Sequence, residues 1–473
     1  MKKITFLAFL FSPLISFAQI DFGGPTATAR GGSVTATAKD WEAIGINPAN
    51  LGWSDNHTFS LSVANIGINI QNQALTIGEV RHTQFDSLTP QQRQQAYDAM
   101  TTPGGLNAAV SANFFSFSVH SKKWGGLAIS LTDHAYAHTY FSPNSAKIIT
   151  DLIDIKDSAT LIKAIRKDSA LLSKTPAELL DGTNMGGYHY RELNIDYGHK
   201  LLTIYVKSTG KGGASFQNSD YLDNTSKTSD TVSNPIEIFG GFGIKPIWGL
   251  GQFSSIFVGS QNIEEGTDVY GNPNYTSNIL SNAFTANGRG LGIDLGLNAS
   301  YKKWKLGVSV INLGSIKWHN IDFNNKLVNF PTTDSLRKLT QGNAKILDYF
   351  FNQSPGPDYT TQLPSRFRMG VSYQLSKGIV FASDFVAPLN TVPGNLLNPY
   401  VSVGAQVNVF HYIELNVGLA TEKGFGTVVP LGVFVNFIGG FDFYVGTNDA
   451  TAYLNNESGH VLSLAFGIRL FGF

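Results

Sequence analysis

Cysteine is absent from all 473 residues. Disulfide scaffolds, cysteine-ligated zinc, iron–sulfur clusters, thiol catalysis and a lipid anchor on an N-terminal cysteine are therefore excluded. Charge is scarce as well, at 14% of residues, where a soluble domain carries about 25%. The 34 Lys and Arg balance 34 Asp and Glu, so the net charge is zero, which argues against a nucleic-acid partner held by a basic surface. Past the N-terminus there is no run of about 18 apolar residues, so no transmembrane helix is expected. Glycine is plentiful at 49 residues, and aromatics reach 12%. Length alone permits two or three soluble domains or one large barrel.

The first residues set the compartment. Met1-Lys2-Lys3 is a short basic stretch, Ile4 to Phe17 is mostly apolar, and Ser16-Phe17-Ala18 is a small-x-small cleavage site before Gln19. This pattern predicts a secretory signal peptide over residues 1–18 and a mature chain beginning at Gln19. An exported chain with little charge and no spanning helix is periplasmic, secreted, or an outer-membrane barrel.

Periodicity favours the barrel. Between Leu291 and Tyr301, one parity reads Leu291, Ile293, Leu295, Leu297, Ala299, Tyr301, and the other Gly292, Asp294, Gly296, Asn298, Ser300. Alternate side chains of a strand point to opposite faces, so one face is apolar and the other small or polar. The same split recurs at 366–375, 401–409, 413–419 and 462–470. Segments of about ten residues with this pattern mark transmembrane β-strands. Short links near Ser121–Gly125, Gly198–Leu202, Ile247–Gln252, Lys302–Trp304, Ser376–Gly378, Phe410–Tyr412 and Ile438–Gly440 alternate with longer ones, among them Gln217–Asn234. Short turns at one end and long loops at the other fit such a barrel. Counting between links gives sixteen strands, or fourteen if one hairpin around Ile236–Gln261 is dropped. The expected fold class is thus all-β, an antiparallel transmembrane barrel of fourteen to sixteen strands over residues 58–473, preceded by a lumen segment over 19–57.

Three loops read as partly helical: Gln91–Met100, Ile148–Leu180 and Ser335–Phe351. Their apolar faces need cover from one another, from the rim, or from a protein partner at the extracellular loops. Lys122-Lys123-Trp124 and Lys302-Lys303-Trp304 occupy short turns, where Trp favours the membrane–water boundary and Lys sits just beyond it. The chain ends on an alternating strand with a terminal Phe473 whose parity is that of Arg469, which points to a break in the pleat near Gly472.

Candidate chemistry is thin. His134 and His138 lie four residues apart on an expected strand, roughly 13 Å, too far to share one metal. With Asp133 they read as polar lumen wall. No nucleotide loop or serine elbow appears in a credible setting, and no catalytic, metal or cofactor residue is assigned. The charges of lumen parity, Asp196, Asp294, Arg366, Arg368, Asp384, Glu414, Asp442 and Arg469, are of mixed sign and form internal pairs rather than a filter for one ion.

After the signal peptide comes Ala29-Arg30-Gly31-Gly32-Ser33-Val34-Thr35-Ala36-Thr37-Ala38-Lys39-Asp40, then Asn47-Pro48-Ala49-Asn50-Leu51. This region resembles the N-terminus of the long-chain fatty-acid transporter superfamily of outer-membrane barrels, especially the Bacteroidota branch that includes barrel subunits of the type IX secretion system. Lys39 and Asn50 depart from its usual pattern. Val310-Ile311-Asn312-Leu313-Gly314 and Leu363-Pro364-Ser365-Arg366-Phe367-Arg368 look like a Bacteroidota outer-membrane family of unassigned function. The superfamily resemblance implies fourteen strands and an N-terminal lumen plug at Ile20–Trp53, with Arg30, Gly31, Gly32, Asp40, Asn47 and Pro48 as its marked residues. A plain turn feeding the first strand is the other reading of Asn47-Pro48-Ala49. Lumen charges Asp294, Arg366, Arg368 and Glu414 are expected to pair with charges of the segment.

The reading is a non-enzymatic barrel of the outer membrane, in contact with its lipid, without cofactor or nucleic acid, passing small solutes, hydrophobic ones among them. A structural or partner-binding subunit of a surface or secretion complex is the second reading. An integral outer-membrane hydrolase is the third.

Overall fold

The computed structural model describes residues 24–72, 89–102, 104–152, 181–209, 213–218, 235–256, 268–271, 287–319, 322–324, 354–355, 358–410, 412–422, 426–437, 441–454 and 461–472. Fourteen antiparallel strands form a closed barrel. They are β1 (Phe59–Asn72), β2 (Leu106–Ser121), β3 (Gly125–Tyr140), β4 (Asn184–Thr209), β5 (Ile236–Ile256), β6 (Gly288–Tyr301), β7 (Trp304–Trp318) and β8 (Arg366–Ser376). There follow β9 (Ile379–Pro388), β10 (Tyr400–Val409), β11 (Ile413–Glu422), β12 (Leu431–Phe437), β13 (Phe441–Thr447) and β14 (Val461–Gly472). Each pairs with its neighbour in sequence, and β1 closes on β14 through Leu61↔Leu470 and Ile68↔Leu464. Closure leaves no unpaired edge, so the ladder satisfies its own backbone groups.

The count is fourteen, not sixteen, because two expected turns lie inside strands. Gly198–Leu202 belongs to the 26-residue β4, and Ile247–Gln252 to the 21-residue β5. Both spots hold β-bulges: the β4–β5 register shifts between Lys200 and Leu202, and again between His189 and Tyr190 opposite Gly249 and Gly251. A bulge adds a residue and tolerates glycine, so in sequence it imitates a turn. The 210–235 connection consequently leaves from the end that carries the short turns. A similar irregularity separates Ser60↔Gly472 from Leu61↔Leu470, which places the expected break in the final pleat at Phe471. Phe473 itself lies outside the described residues, as do residues 1–23, most of Ile148–Leu180 and all of Ser335–Phe351.

Strand phase is as the alternation dictates. Leu295 is 50% exposed on the outer wall, while Asp294 beside it is 0% exposed. Leu291, Ile293, Leu297, Val401, Val403, Leu415, Val417 and Leu419 share the outer face, and Asn298, Arg368, Ser402 and Asn416 point in. Exposed aromatics collect at the short turns: Trp124, Trp304, Phe410, Tyr412 and Phe437. Lys123 stacks over Trp124 and Lys302 over Tyr301. This is the composition of a membrane–water boundary. At the opposite end, the expected helix over Gln91–Met100 is present as α2 (Pro90–Thr101), after the short α1 (Pro25–Ala29) of the N-terminal segment. Its start is fixed by a capping box between Thr89 and Gln92, and it packs against α3 (Pro143–Leu152).

Candidate functional site

The residues between Gly24 and Trp53 lie in the lumen. α1 touches β11, β12, β13 and β14, and the 3₁₀ turns Asp40–Ala43 and Pro48–Gly52 touch β1 through β6. β7, β8, β9 and β10 reach the same segment through Ser309, Arg368, Asp384 and Gly404. A segment that contacts all fourteen strands of a closed barrel occupies its interior. Its large apolar side chains are Trp41, Ile44, Ile46, Leu51 and Trp53, all buried except the half-buried Ile44. Each large one contributes about 1.5–3 kcal/mol when fully buried, too few for an independent core, so the lumen wall supplies the rest.

The local path follows from the sequence. Gly31 (φ 61°) and Gly32 (φ 80°) turn the chain through left-handed backbone. A methyl on Gly32 would also collide with the Tyr400 hydroxyl. Asn47 caps the Pro48–Gly52 turn, its Oδ1 accepting from Ala49 N at 3.1 Å, while its Nδ2 donates to Leu297 O at 3.2 Å. Asn-Pro-Ala is thus a turn, and that turn is docked inside the barrel. Asp40 closes the segment onto the residues that lead into β1: its carboxylate accepts from His57 N at 2.8 Å and meets His57 Nδ1 at 2.6 Å.

The wall is thinned to glycine where the segment's backbone approaches. Gly126↔Gly198, Gly198↔Gly241 and Gly241↔Gly296 are direct cross-strand pairs, forming one row over β3–β6. Against them lie Pro48, Ala49 and Leu51, and an added methyl at any of the four would overlap that turn. A second pair, Gly404↔Gly418, faces Arg30 and Ser33, and a third, Gly432↔Gly446, faces Ala29. The alternation marked this face only as small or polar. The available signal was their positions, one per strand at inward parity.

Polar contacts fasten the segment. Arg368 donates from Nε to Thr35 Oγ1 at 3.0 Å and from Nη2 to Gly32 O at 2.9 Å. Asp384 Oδ2, 3.5 Å from Arg368, accepts from Val34 N at 3.1 Å and Thr35 N at 2.8 Å. Ser309 donates to Ile46 O, and Ser372 to Ala36 O. The expected pairing of wall charges with segment charges is corrected here. Asp294 pairs with Lys245 at 2.8 Å. Arg366 donates to Gly394 O and Asn395 Oδ1 in the β9–β10 loop. Glu414 accepts from Gln406 and Asn416. Burying an ion is tolerable when its partner is built into the same rigid wall, and Lys245–Asp294, Arg368–Asp384 and Asp442–Arg469 are such pairs. Just past the segment, Asp55 bridges Lys305 of β7 at 3.2 Å and Lys39 of the segment at 2.5 Å. Arg30 is 2% exposed, and its Nε and Nη1 find no acceptor among the described residues. Burial pushes the Glu42 carboxyl up, against a 2.6 Å hydrogen bond from Thr26.

Toward the loop end, His134, Tyr136, Tyr188 and Tyr190 form an aromatic layer across the lumen. The β9–β10 loop folds inward over it. Tyr188 donates to Pro393 O at 2.8 Å, and Gly394 packs on the Tyr136 ring. Between this layer and the N-terminal segment is a chamber of about 110 Å³. Outside the loop lies a vestibule of about 640 Å³. His134 and His138 face the lumen as expected, bonded to Glu192 and Asn184. Asp133 does not: it has outward parity and holds Arg191 by two hydrogen bonds of 2.6 and 2.8 Å, with Phe114 covering the guanidinium. Among the described residues no group of three His, Asp or Glu side chains is arranged to hold a metal ion.

No curated protein matches the chain in sequence. A family profile described as a family of unknown function (DUF5723) matches residues 252–448, less than half of the chain. Among solved structures, the toluene transporter TodX of Pseudomonas putida is similar at 11% identity and a TM-score of 0.44, covering 96% of this chain and 98% of that one. The CymD monoaromatic hydrocarbon channel is similar at 10% identity and a TM-score of 0.43, with 95% and 97% covered. The translocator domain of the autotransporter NalP from Neisseria meningitidis is similar at 8% identity and a TM-score of 0.29, with 88% and 90% covered.

Proposed function

We propose that this chain is an outer-membrane β-barrel that passes small solutes through a lumen held shut by its own N-terminal segment. The observation that carries the reading is the fit of Gly24–Trp53 against every strand of a barrel whose outer wall is apolar. An apolar outer face that alternates with a polar inner one suits lipid outside and water or protein inside. The short-turn end, with its aromatic and lysine residues, then faces the periplasm, and the inward β9–β10 loop faces the exterior. The segment is held by a limited number of hydrogen bonds, each worth about 0.5–1.5 kcal/mol net, so displacing it does not require opening the barrel.

Arg368→Met tests the reading. It removes the clamp on Gly32 and Thr35 without touching the outer face. In liposomes, this variant should admit a pentose faster than the intact protein while still migrating as a heat-modifiable barrel. Equal swelling rates would argue that the segment does not control passage, and would favour a structural subunit.

A further inference from the structure

The chamber between the segment and the aromatic layer has a lining that selects a chemistry. Glu192 and Asn194 of β4 are 5% and 1% exposed and both line it. Glu192 Oε1 is engaged by His134 at 3.1 Å and by Asn194 Nδ2 at 3.1 Å. Among the described residues, Glu192 Oε2 and Asn194 Oδ1 have no hydrogen-bond partner. Two buried acceptors left open are costly unless something donates to them. The cations nearby are committed elsewhere: Lys245 to Asp294 at 2.8 Å and to Asn312 Oδ1 at 2.5 Å, and Arg366 to the β9–β10 loop. An anionic ligand would meet Glu192, and a cationic one would meet Lys245 and Arg366. A neutral molecule rich in donors meets neither objection. The remaining walls offer Ser130, Thr132 and Asn113 on one side and the apolar faces of Trp41 and Ile44 on the other. The volume, about 110 Å³, is several times that of a single water site and approaches the roughly 150 Å³ of a cavity that accepts benzene.

From the two open acceptors of Glu192 and Asn194 beside this chamber, we infer a binding site for a small neutral polyol, no larger than a pentose. Its hydroxyls donate to Glu192 Oε2 and Asn194 Oδ1, and its carbon face lies on Trp41. The assignment rests on the channel reading above and names its solute class. A hydrocarbon would leave both acceptors open, so an apolar solute is disfavoured at this point of the lumen.

The test titrates the full-length protein in detergent with xylitol, reading tryptophan fluorescence, with toluene as the rival ligand. Xylitol should give a saturable change that is absent in Trp41→Phe. Its affinity should weaken at least tenfold in Asn194→Ala and in Glu192→Gln, each verified as a heat-modifiable barrel. No saturation up to the solubility limit, with water alone in the chamber, overturns the proposal. A saturable response to toluene in place of xylitol overturns it too, and that choice in the unmutated protein decides the matter even if a variant does not fold. Conductance of protein lacking residues 24–41 reads the channel separately. A conducting deletion form, with no xylitol response in the intact protein, removes the ligand and leaves the channel.

Discussion

The indole of Trp53 donates to Asn298 Oδ1 at 3.0 Å, joining the end of the lumen segment to the short-turn end of β6, 245 residues away. Asn298 completes the link by donating to Asn50 Oδ1 at 3.1 Å. Asn298 is therefore a docking residue as well as a lumen-facing one.

Arginine at neighbouring positions of β6 should fail in different ways. Leu295→Arg puts a charge on the outer wall, at a cost of about 2–4 kcal/mol near a bilayer midplane, and should lower the yield of folded barrel. Asn298→Arg should keep the barrel and eject the segment, since there is no room beside Trp53 and Asn50. Heat-modifiable migration reads the first effect. Protease cleavage within 24–53 on the folded barrel reads the second. A cleavable segment in Leu295→Arg and a protected one in Asn298→Arg would reverse the assigned strand phase.

Asp384→Asn should loosen the same segment. The variant leaves Arg368 buried without its counter-charge, and breaking a buried pair in this way costs about 3–5 kcal/mol. Hydrogen exchange at Val34 and Thr35, whose amides bond Asp384, should accelerate, while exchange in β1–β3 stays slow. Uniform acceleration throughout the barrel would show a general loss of stability instead.

Gly241→Val tests the glycine row. Its added carbons would overlap Pro48 and Ala49, so the turn must withdraw from the wall. The barrel should fold, and the segment should become cleavable. Protection equal to that of the unmutated protein would show that the trough is not what seats the turn.

Acid should weaken one end of the docking. Burial pushes the Asp55 carboxyl up, but Lys305 and Lys39 outweigh it and hold it at about 2. A depressed carboxyl stabilises above its ordinary pKa of about 4 and loses that contribution as pH falls through about 2. The side chain is about half exposed, so the effect is modest. Protection factors near Asp55 and Lys39, which remove the intrinsic pH dependence of exchange, should fall between pH 4 and pH 2 in the unmutated protein. In Asp55→Asn they should already be low and stay so over that interval.

Period-two alternation made the wall legible, because each strand buries one face against the lumen and offers the other to an apolar solvent. Leu295 against Asp294 and Val403 against Ser402 were assigned correctly from sequence alone. Strand number was not legible where bulges at Leu201 and Leu250 interrupt β4 and β5, since a bulge and a turn share their residue preferences. For the lumen segment, only Asn47-Pro48-Ala49 was readable as a turn, and Gly31-Gly32 stood out only through the resemblance. Which wall residue meets which segment atom depends on strand stagger, and sequence does not encode that locally. Charge pairing between segment and wall was the natural expectation for Arg366, Asp294 and Glu414. They lie instead in contacts fixed within the wall and its loops, where rigid neighbours hold both partners. Backbone amides and carbonyls of Gly32, Val34 and Thr35 took the place of the expected ions.

Closure of the lumen by Gly24–Trp53 is the central claim, and planar-bilayer conductance of protein lacking residues 24–41 tests it most directly. The account predicts that the deletion form inserts as a folded barrel and conducts ions well above the intact protein. A deletion form that folds, inserts and conducts no more than the intact protein would contradict it.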